Sequence, residues 1–246
     1  FGSGGMDVMT KHKKTGNRSG TGRPGGSTKV RVKTAMASRA AAPAATRSFG
    51  PLPIVGIGAS AGGLEALEQF FSNAAPDSGM AFVVIQHLDP THKGIMTELL
   101  QRTTTMAVRQ AKNRMKVQPN HVYVIPPNKD MSLLRGTLHL FAPAAPRGLR
   151  LPIDFFLRSL ADDRGEASIG VILSGMGSDG TLGLRAIKEK AGLTLVQAPE
   201  SAKFDGMPRS AVDAGVADIV ASAEELPARI IGLLKRGLQI ARTEAE

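Results

Sequence analysis

The chain has 246 residues, 31 of them Lys or Arg and 21 Asp or Glu, a net charge of +10, and no cysteine. That length accommodates one or two domains at roughly 100–200 residues each, and the missing cysteine excludes a disulfide scaffold, a thiolate metal site, an iron–sulfur cluster and a cysteine nucleophile. No apolar run approaches the ~20 residues that span a bilayer, so membrane insertion is not expected and a soluble, cytoplasmic protein is.

Residues 1–50 hold ten basic side chains against one acid, Asp7, a net of +9. A segment this rich in Gly, Ser, Thr and Ala buries too little apolar surface to offset its ordering entropy, so it reads as a disordered basic arm. Phe1 to Gly5 reads as a cloning remnant ahead of Met6. The arm lacks interleaved aromatic residues for base stacking, and nucleic acid is not an expected partner. Residues 51–246 balance 21 basic against 20 acidic residues, and the predicted domain covers 51–240.

Within it, Ile54 to Gly58 is a short apolar run ending in glycine, and a helical pattern follows through Leu64, Leu67, Phe70 and Phe71. Ala81 to Ile85 is a second such run, with Ile95, Leu99 and Leu100 on a helix-like segment beyond. Val122 to Ile125 reads as a strand. Ser132–Leu134 and Thr137–Phe141 flank Arg135-Gly136 as a hairpin. Ile153 to Ala161 reads as a helix and Ile169 to Leu173 as a buried strand. After Gly180 come a helix to about Ala191, strands Leu193–Val196 and Val216–Val220, and a last helix from about Glu224. Continuous apolar strands alternating with amphipathic helices have both sheet faces covered, which predicts an α/β fold. The sheet is doubly wound and mainly parallel, with the hairpin as an antiparallel addition at an edge.

Open α/β sheets bind ligands beyond the carboxyl ends of their strands, so chemistry is sought after Gly58, Ile85 and Leu173. The first end, Gly58-Ala59-Ser60-Ala61-Gly62-Gly63, admits three readings: a nucleophile elbow around Ser60, a dinucleotide turn written Gly56-x-Gly58-x-x-Ala61, or a helix N-cap at Ser60. A dinucleotide site wants an acid at the end of the next strand. That end instead reads Gln86-His87-Leu88, a histidine within reach of a neighbouring strand end at ~4.8 Å strand spacing. The third end, Leu173 to Gly180, wraps Asp179 in glycine and serine. Asp179 either caps the following helix or orients the imidazole of His87, and amides of the same turn are oxyanion donors. Taken together, Ser60, His87 and Asp179 form a serine hydrolase constellation. Their order differs from the Ser, acid, His order of α/β-hydrolases. No metal ligand set and no cofactor are predicted.

These residues resemble the catalytic domain of CheB-type protein-glutamate methylesterases. The matching segments are Val55–Gly63 (VGIGASAGG), Ile85–Leu88 (IQHL), Val122–Pro127 (VYVIPP), Gly170–Gly180 (GVILSGMGSDG) and Phe204–Ala211 (FDGMPRSA). The resemblance implies a serine esterase that demethylates glutamates on methyl-accepting chemotaxis-type receptors, with deamidation of receptor glutamines in some members. It implies Ser60 as nucleophile, His87 as general base, Asp179 as its partner and the main chain at Met176 at the oxyanion site, with Ala61 and Gly177 beside it. Ala61 stands where many members carry threonine, and the basic arm stands where a receiver domain is usual. Residues 147–154 and 203–210, with Arg150 and Arg209, are read as a substrate rim, each arginine alternatively a solvated charge or structural ion pair. Details at 65–68, 89–93 and 148–154 look most like the leading module of CheB–CheR hybrid signalling proteins. Methylated receptor helices and a CheR-type methyltransferase module are the implied partners, and a non-catalytic interaction module of such a hybrid is the alternative function.

Overall fold

The computed structural model describes residues 52–86, 95–143 and 150–243. The basic arm and His87 lie outside these, as do rim residues 147–149. The elements run β1 (Ile54–Ala59), α1 (Gly63–Ser72), β2 (Ala81–Gln86), α2 (Ile95–Gln101), β3 (Ala107–Gln110), β4 (Met115–Lys116), β5 (His121–Val124), β6 (Asp130–Leu134) and β7 (Thr137–Phe141). They continue with α3 (Pro152–Arg164), β8 (Ser168–Ile172), α4 (Thr181–Glu189), β9 (Leu193–Gln197), α5 (Gly206–Asp213), β10 (Ile219–Ala221) and α6 (Leu226–Thr243). Seven strands form one parallel sheet in the order β10-β9-β8-β1-β2-β5-β3. The chain leaves β1 in one direction through β2 and returns on its other side through β8, β9 and β10. The topological switch therefore lies at β1 and β8, where an open parallel sheet forms its crevice.

Strand side chains alternate between two cores, as the two-residue period requires. Val55, Ile57, Phe82 and Val84 face α1, α2 and α6, meeting Leu67, Phe70, Leu100 and Leu226. Ile54, Val83 and Ile85 face α3, α4 and α5, meeting Phe156, Leu157, Leu184 and Met207. On this second face, Gly56 and Gly58 leave a groove. A Cβ on Gly58 would lie 2.4 Å from Ile153 Cγ2, and one on Gly56 would lie 2.7 Å from Leu157 Cδ2. Gly170 makes the same room for α4, since its Cβ would stand 2.6 Å from both Ile187 Cδ1 and Leu184 Cδ2. The strand glycines thus let α3 and α4 lie directly on the sheet backbone.

The hairpin forms in the expected register, with Leu134 opposite Thr137. Arg135 (φ 51°) and Gly136 (φ 68°) take successive left-handed conformations, the pattern of a tight two-residue hairpin turn. Asp163 of α3 accepts both turn amides. The hairpin joins β4 in a separate three-stranded antiparallel sheet rather than bonding to the main sheet's edge. That edge is β3, a four-residue strand whose Arg109 and Gln110 are exposed, so no apolar run marks it in the sequence.

At the opposite edge, β10 starts three residues later than expected because Asp218 is occupied as an acceptor. Its Oδ2 takes Thr194 N (3.0 Å) and Thr194 Oγ1 (2.7 Å), and its Oδ1 pairs with Lys188. Burial opposes the Asp218 charge, but the bonds from Lys188 and Thr194 outweigh it and hold this carboxyl below the usual carboxylate range. Its contribution is therefore complete above the unfolded-state value of ~3.9 and fades as the pH falls through the lower folded value. Asp218→Ala is expected to lower stability by about 1–2 kcal/mol at pH 7. In denaturant titrations the gap to the parent protein should close progressively below pH ~4.

Candidate active site

Ser60 follows the last residue of β1 in a sharp strand-to-helix turn. Its amide donates to Ser174 O (3.0 Å) and its carbonyl accepts from Gly63 N (2.9 Å), while Gly62 supplies the left-handed step (φ 68°) that starts α1. This is the elbow reading of the motif. Gly56 and Gly58 face α3 instead of an open crevice, which removes their part in a dinucleotide turn. Gly175 presses against the serine, since a Cβ there would lie 3.0 Å from Ser60 Cβ and 2.2 Å from Met207 Sδ. The loop leaving β8 is thereby brought up to Ser60. On the other side Ala59, just before the serine, pairs with Gln86, the residue preceding His87.

Asp179, only 3 % exposed, does not cap the helix that follows it. Its Oδ2 accepts Ile153 N (3.1 Å) and its Oδ1 accepts Asp154 N (2.9 Å), both in the first turn of α3. Each oxygen accepts one bond from α3, and a carboxylate oxygen has two acceptor directions.

Between Asp179 and Ser60 the chain is exposed at Met176, Gly177 and Ser178, with Met176 itself 64 % exposed. Among the described residues the amides of Met176 and Gly177 donate no backbone hydrogen bond, and Gly177 sits at φ 82°. Free amides in such a turn have the form of an anion-binding nest. The rim arginines are engaged elsewhere. Arg150 donates to Asn128 Oδ1 (2.9 Å). Arg209 of α5 donates to Asp205 Oδ2 through Nε (3.0 Å) and Nη2 (2.5 Å), Asp205 being the residue that precedes the helix. This second arrangement is the structural ion pair, in which Arg209 holds the Asp205 carboxyl below its ordinary range. A cleft of about 340 Å³ beside the elbow is lined by Gly62, Ser174, Glu65, Gln69, Gln197 and Lys203. Among the described residues no group of His, Asp or Glu is gathered so as to hold a metal ion, and no helix is long and apolar enough to cross a membrane.

A family model described as CheB methylesterase matches residues 55–230. The chain belongs to that family. The CheB methylesterase catalytic domain of Thermotoga maritima superposes with a TM-score of 0.69 at 30 % identity, covering 75 % of this chain and all of that one. The protein-glutamate methylesterases/protein-glutamine glutaminases of Photorhabdus laumondii and Moorella thermoacetica are 31 % and 34 % identical over 84 % and 86 % of this chain. The chain spans 63 % and 51 % of their lengths. A putative relative of the same name from Leptospira interrogans is 31 % identical over 74 % of this chain and is covered over 95 % of its own length.

In this CheB-family domain the supports of the site are less conspicuous in the sequence than the candidate triad. Ser174 Oγ donates to Ala61 O (2.9 Å) and accepts from Phe204 N (3.0 Å), tying the elbow to the loop before α5. Gln197 Oε1 accepts Ser174 N (2.9 Å) and so fixes the end of β8. In LSGMGSDG, Ser174 was one small residue among several. Its only signal was a hydroxyl directly at a buried strand end, and Gln197's was a polar residue closing an apolar strand. Ser174→Ala is expected to lower turnover ~10–100-fold, because small displacements of reacting groups have effects of that size. Steady-state assay on folded protein checks it.

Proposed function

We propose that this domain is a serine hydrolase that removes methyl esters from glutamate side chains of methyl-accepting chemoreceptors, and that it deamidates receptor glutamines by the same route. The observation that carries the reading is the position of Ser60 and Asp179 beyond adjacent strands, β1 and β8, at the topological switch, in a chain of the CheB methylesterase family. Ser60 is the nucleophile, His87 the general base and Asp179 the group that orients the imidazole and stabilises its charged form.

In the first half-reaction Ser60 Oγ attacks the ester carbonyl as His87 takes its proton. The oxyanion is received by the main chain at Met176 and Gly177. His87 returns the proton to the leaving methoxide, methanol departs, and a glutamyl ester of Ser60 remains. Water activated by His87 attacks that ester, releasing the glutamate carboxylate and restoring the serine. A glutamine side chain follows the same path with ammonia as the leaving group. Ala61 contributes no hydroxyl to the oxyanion, so backbone amides carry that role.

A methyl ester offers little surface, and selectivity has to come from the receptor helix around it. Met176 and Phe204, both exposed, offer it apolar surface, with Arg150 as a charge at the rim. We place the reaction in the cytoplasm, with the methyl esters supplied by a methyltransferase of the CheR type. The test is methanol release from a methylated receptor fragment, compared with the Ser60→Ala protein. Equal release by both proteins, or none by the folded parent, refutes the reading.

A further inference from the structure

Two helices begin at the candidate site, and neither starts with a residue that can cap it. Leu151 precedes α3 and Gly180 precedes α4, and neither helix has a cap from its own N-cap side chain. The open amides are nevertheless taken up. Asp179, from the loop entering α4, accepts the Ile153 and Asp154 amides of α3. Asp154, from α3, accepts the Gly180 amide (3.0 Å) and the Gly183 amide (2.6 Å) of α4. Each aspartate thus serves the other's helix. Residue 154 also grips residue 179 from two directions, through its own N–H on the carboxylate and its own carboxylate on the next amide.

The ring is tightly enclosed. Asp154 is 4 % exposed, and at Gly183 a Cβ would lie 2.6 Å from Leu157 Cβ and 3.2 Å from Asp154 Cα. Burial, first, and the neighbouring Asp179 charge raise the Asp154 carboxyl above its ordinary value, against the two amides and Arg158. A buried carboxylate next to another is a costly way to cap a helix. Position 180 cannot supply a side-chain cap itself, since it sits at φ 98° and a Cβ there would lie 2.2 Å from Ile172 Cδ1, so the acceptor for α4 has to come from another element, and the one that comes also holds the residue next to Asp179.

We propose that Asp154 is a positioning residue of the triad, which keeps the Asp179 carboxylate in its working orientation by closing this reciprocal cap. The role rests on the hydrolase reading above and is exerted only through Asp179. It is a matter of acceptor geometry: both bonds end on the single atom Oδ1, which an asparagine carbonyl can replace and a glutamate, one methylene longer, cannot place as well.

The experiment measures kcat and KM for methanol release from a methylated receptor fragment by the full chain. It compares Asp154→Ala, Asp154→Asn, Asp154→Glu, Ser60→Ala, Asp179→Ala and the double variant Asp154→Ala/Asp179→Ala, each with its thermal midpoint. Asp154→Ala is expected to lose ~10–100-fold in kcat with KM within about twofold. Asp154→Asn should recover most of that loss and exceed Asp154→Glu. The double variant should be no slower than Asp179→Ala alone, since residues acting as one unit are not additive. Parent-like kcat in folded Asp154→Ala, an asparagine variant no better than the glutamate one, or multiplying losses in the double variant overturns the proposal. If the alanine variants do not fold, the order of asparagine and glutamate decides. A Ser60→Ala protein as active as the parent marks failure of the hydrolase reading, which takes this proposal with it. A silent Ser60→Ala beside an unaffected Asp154→Ala marks failure of this proposal alone.

Discussion

Replacing Ser60 with alanine is expected to reduce methanol release from a methylated receptor by about 10⁶-fold in turnover, the scale on which a triad nucleophile is lost. Substrate binding should change little, because the hydroxyl forms its bond only along the reaction path. The fold should be untouched. The turn is held by the Ser60 main chain, whose amide and carbonyl bonds to Ser174 and Gly63 survive the substitution. An unchanged thermal midpoint together with retained receptor binding separates a chemical defect from a structural one. Residual release well above the uncatalysed rate would come from the Met176–Gly177 amides and from substrate positioning. Release equal to the parent's would remove Ser60 from the mechanism.

Asp179→Ala should damage activity and stability together. In the proposed triad the imidazole then lacks its orienting partner, a loss expected on the order of 10⁴ in turnover. The Ile153 and Asp154 amides lose their acceptors as well. Stranding two buried donors costs roughly 2–4 kcal/mol, read as a lower midpoint in denaturant. Asp179→Asn should be about as slow but less destabilised, since its carbonyl still serves one amide. The pH dependence carries a further sign. A carboxyl raised in the folded state, as Asp154 is, makes stability fall as pH rises from the ordinary value of ~3.9 up to the raised one. Burial is the main cause of that rise and the Asp179 charge adds to it. Removing the charge therefore narrows this window, and the stability loss of either Asp179 variant should be larger near pH 4 than at pH 7.

Much of the candidate site was legible in the sequence, because the residues proposed for it follow the ends of apolar strands. Ile54–Ala59, Ala81–Gln86 and Ser168–Ile172 are nearly continuous apolar runs. Serine or histidine directly past such a run is conspicuous, as is an aspartate within a turn of glycines. The supports had no such contrast. Asp154 lies in an amphipathic helix, where an acid in the first turn looks like an ordinary partner for the helix dipole. The amides it accepts from are 26 and 29 positions away. The glycines of β1 were ambiguous for a related reason: a missing Cβ admits a phosphate, a turn or a packed helix, and only the position of α3 distinguishes them.

The edges of the sheet were least legible. Strand β3 is short and half polar, so pairing with β5 gives it its form and its own side chains do not. The hairpin's turn was local chemistry and could be anticipated, whereas its choice of β4 over the main sheet followed from packing on α3.

The linear order of residues determined the alternation of strands and helices, the parallel sheet, and the strand ends beyond which Ser60 and Asp179 stand. Those features follow from hydrophobic period and from turn chemistry, which act over a few neighbouring residues. The tertiary structure decided which helix each aspartate caps, that Gly56 and Gly58 seat α3, and that Ser174 and Gln197 brace the elbow. Hydrogen bonds and close packing between segments more than twenty residues apart depend on where whole elements lie, and a local pattern does not record that.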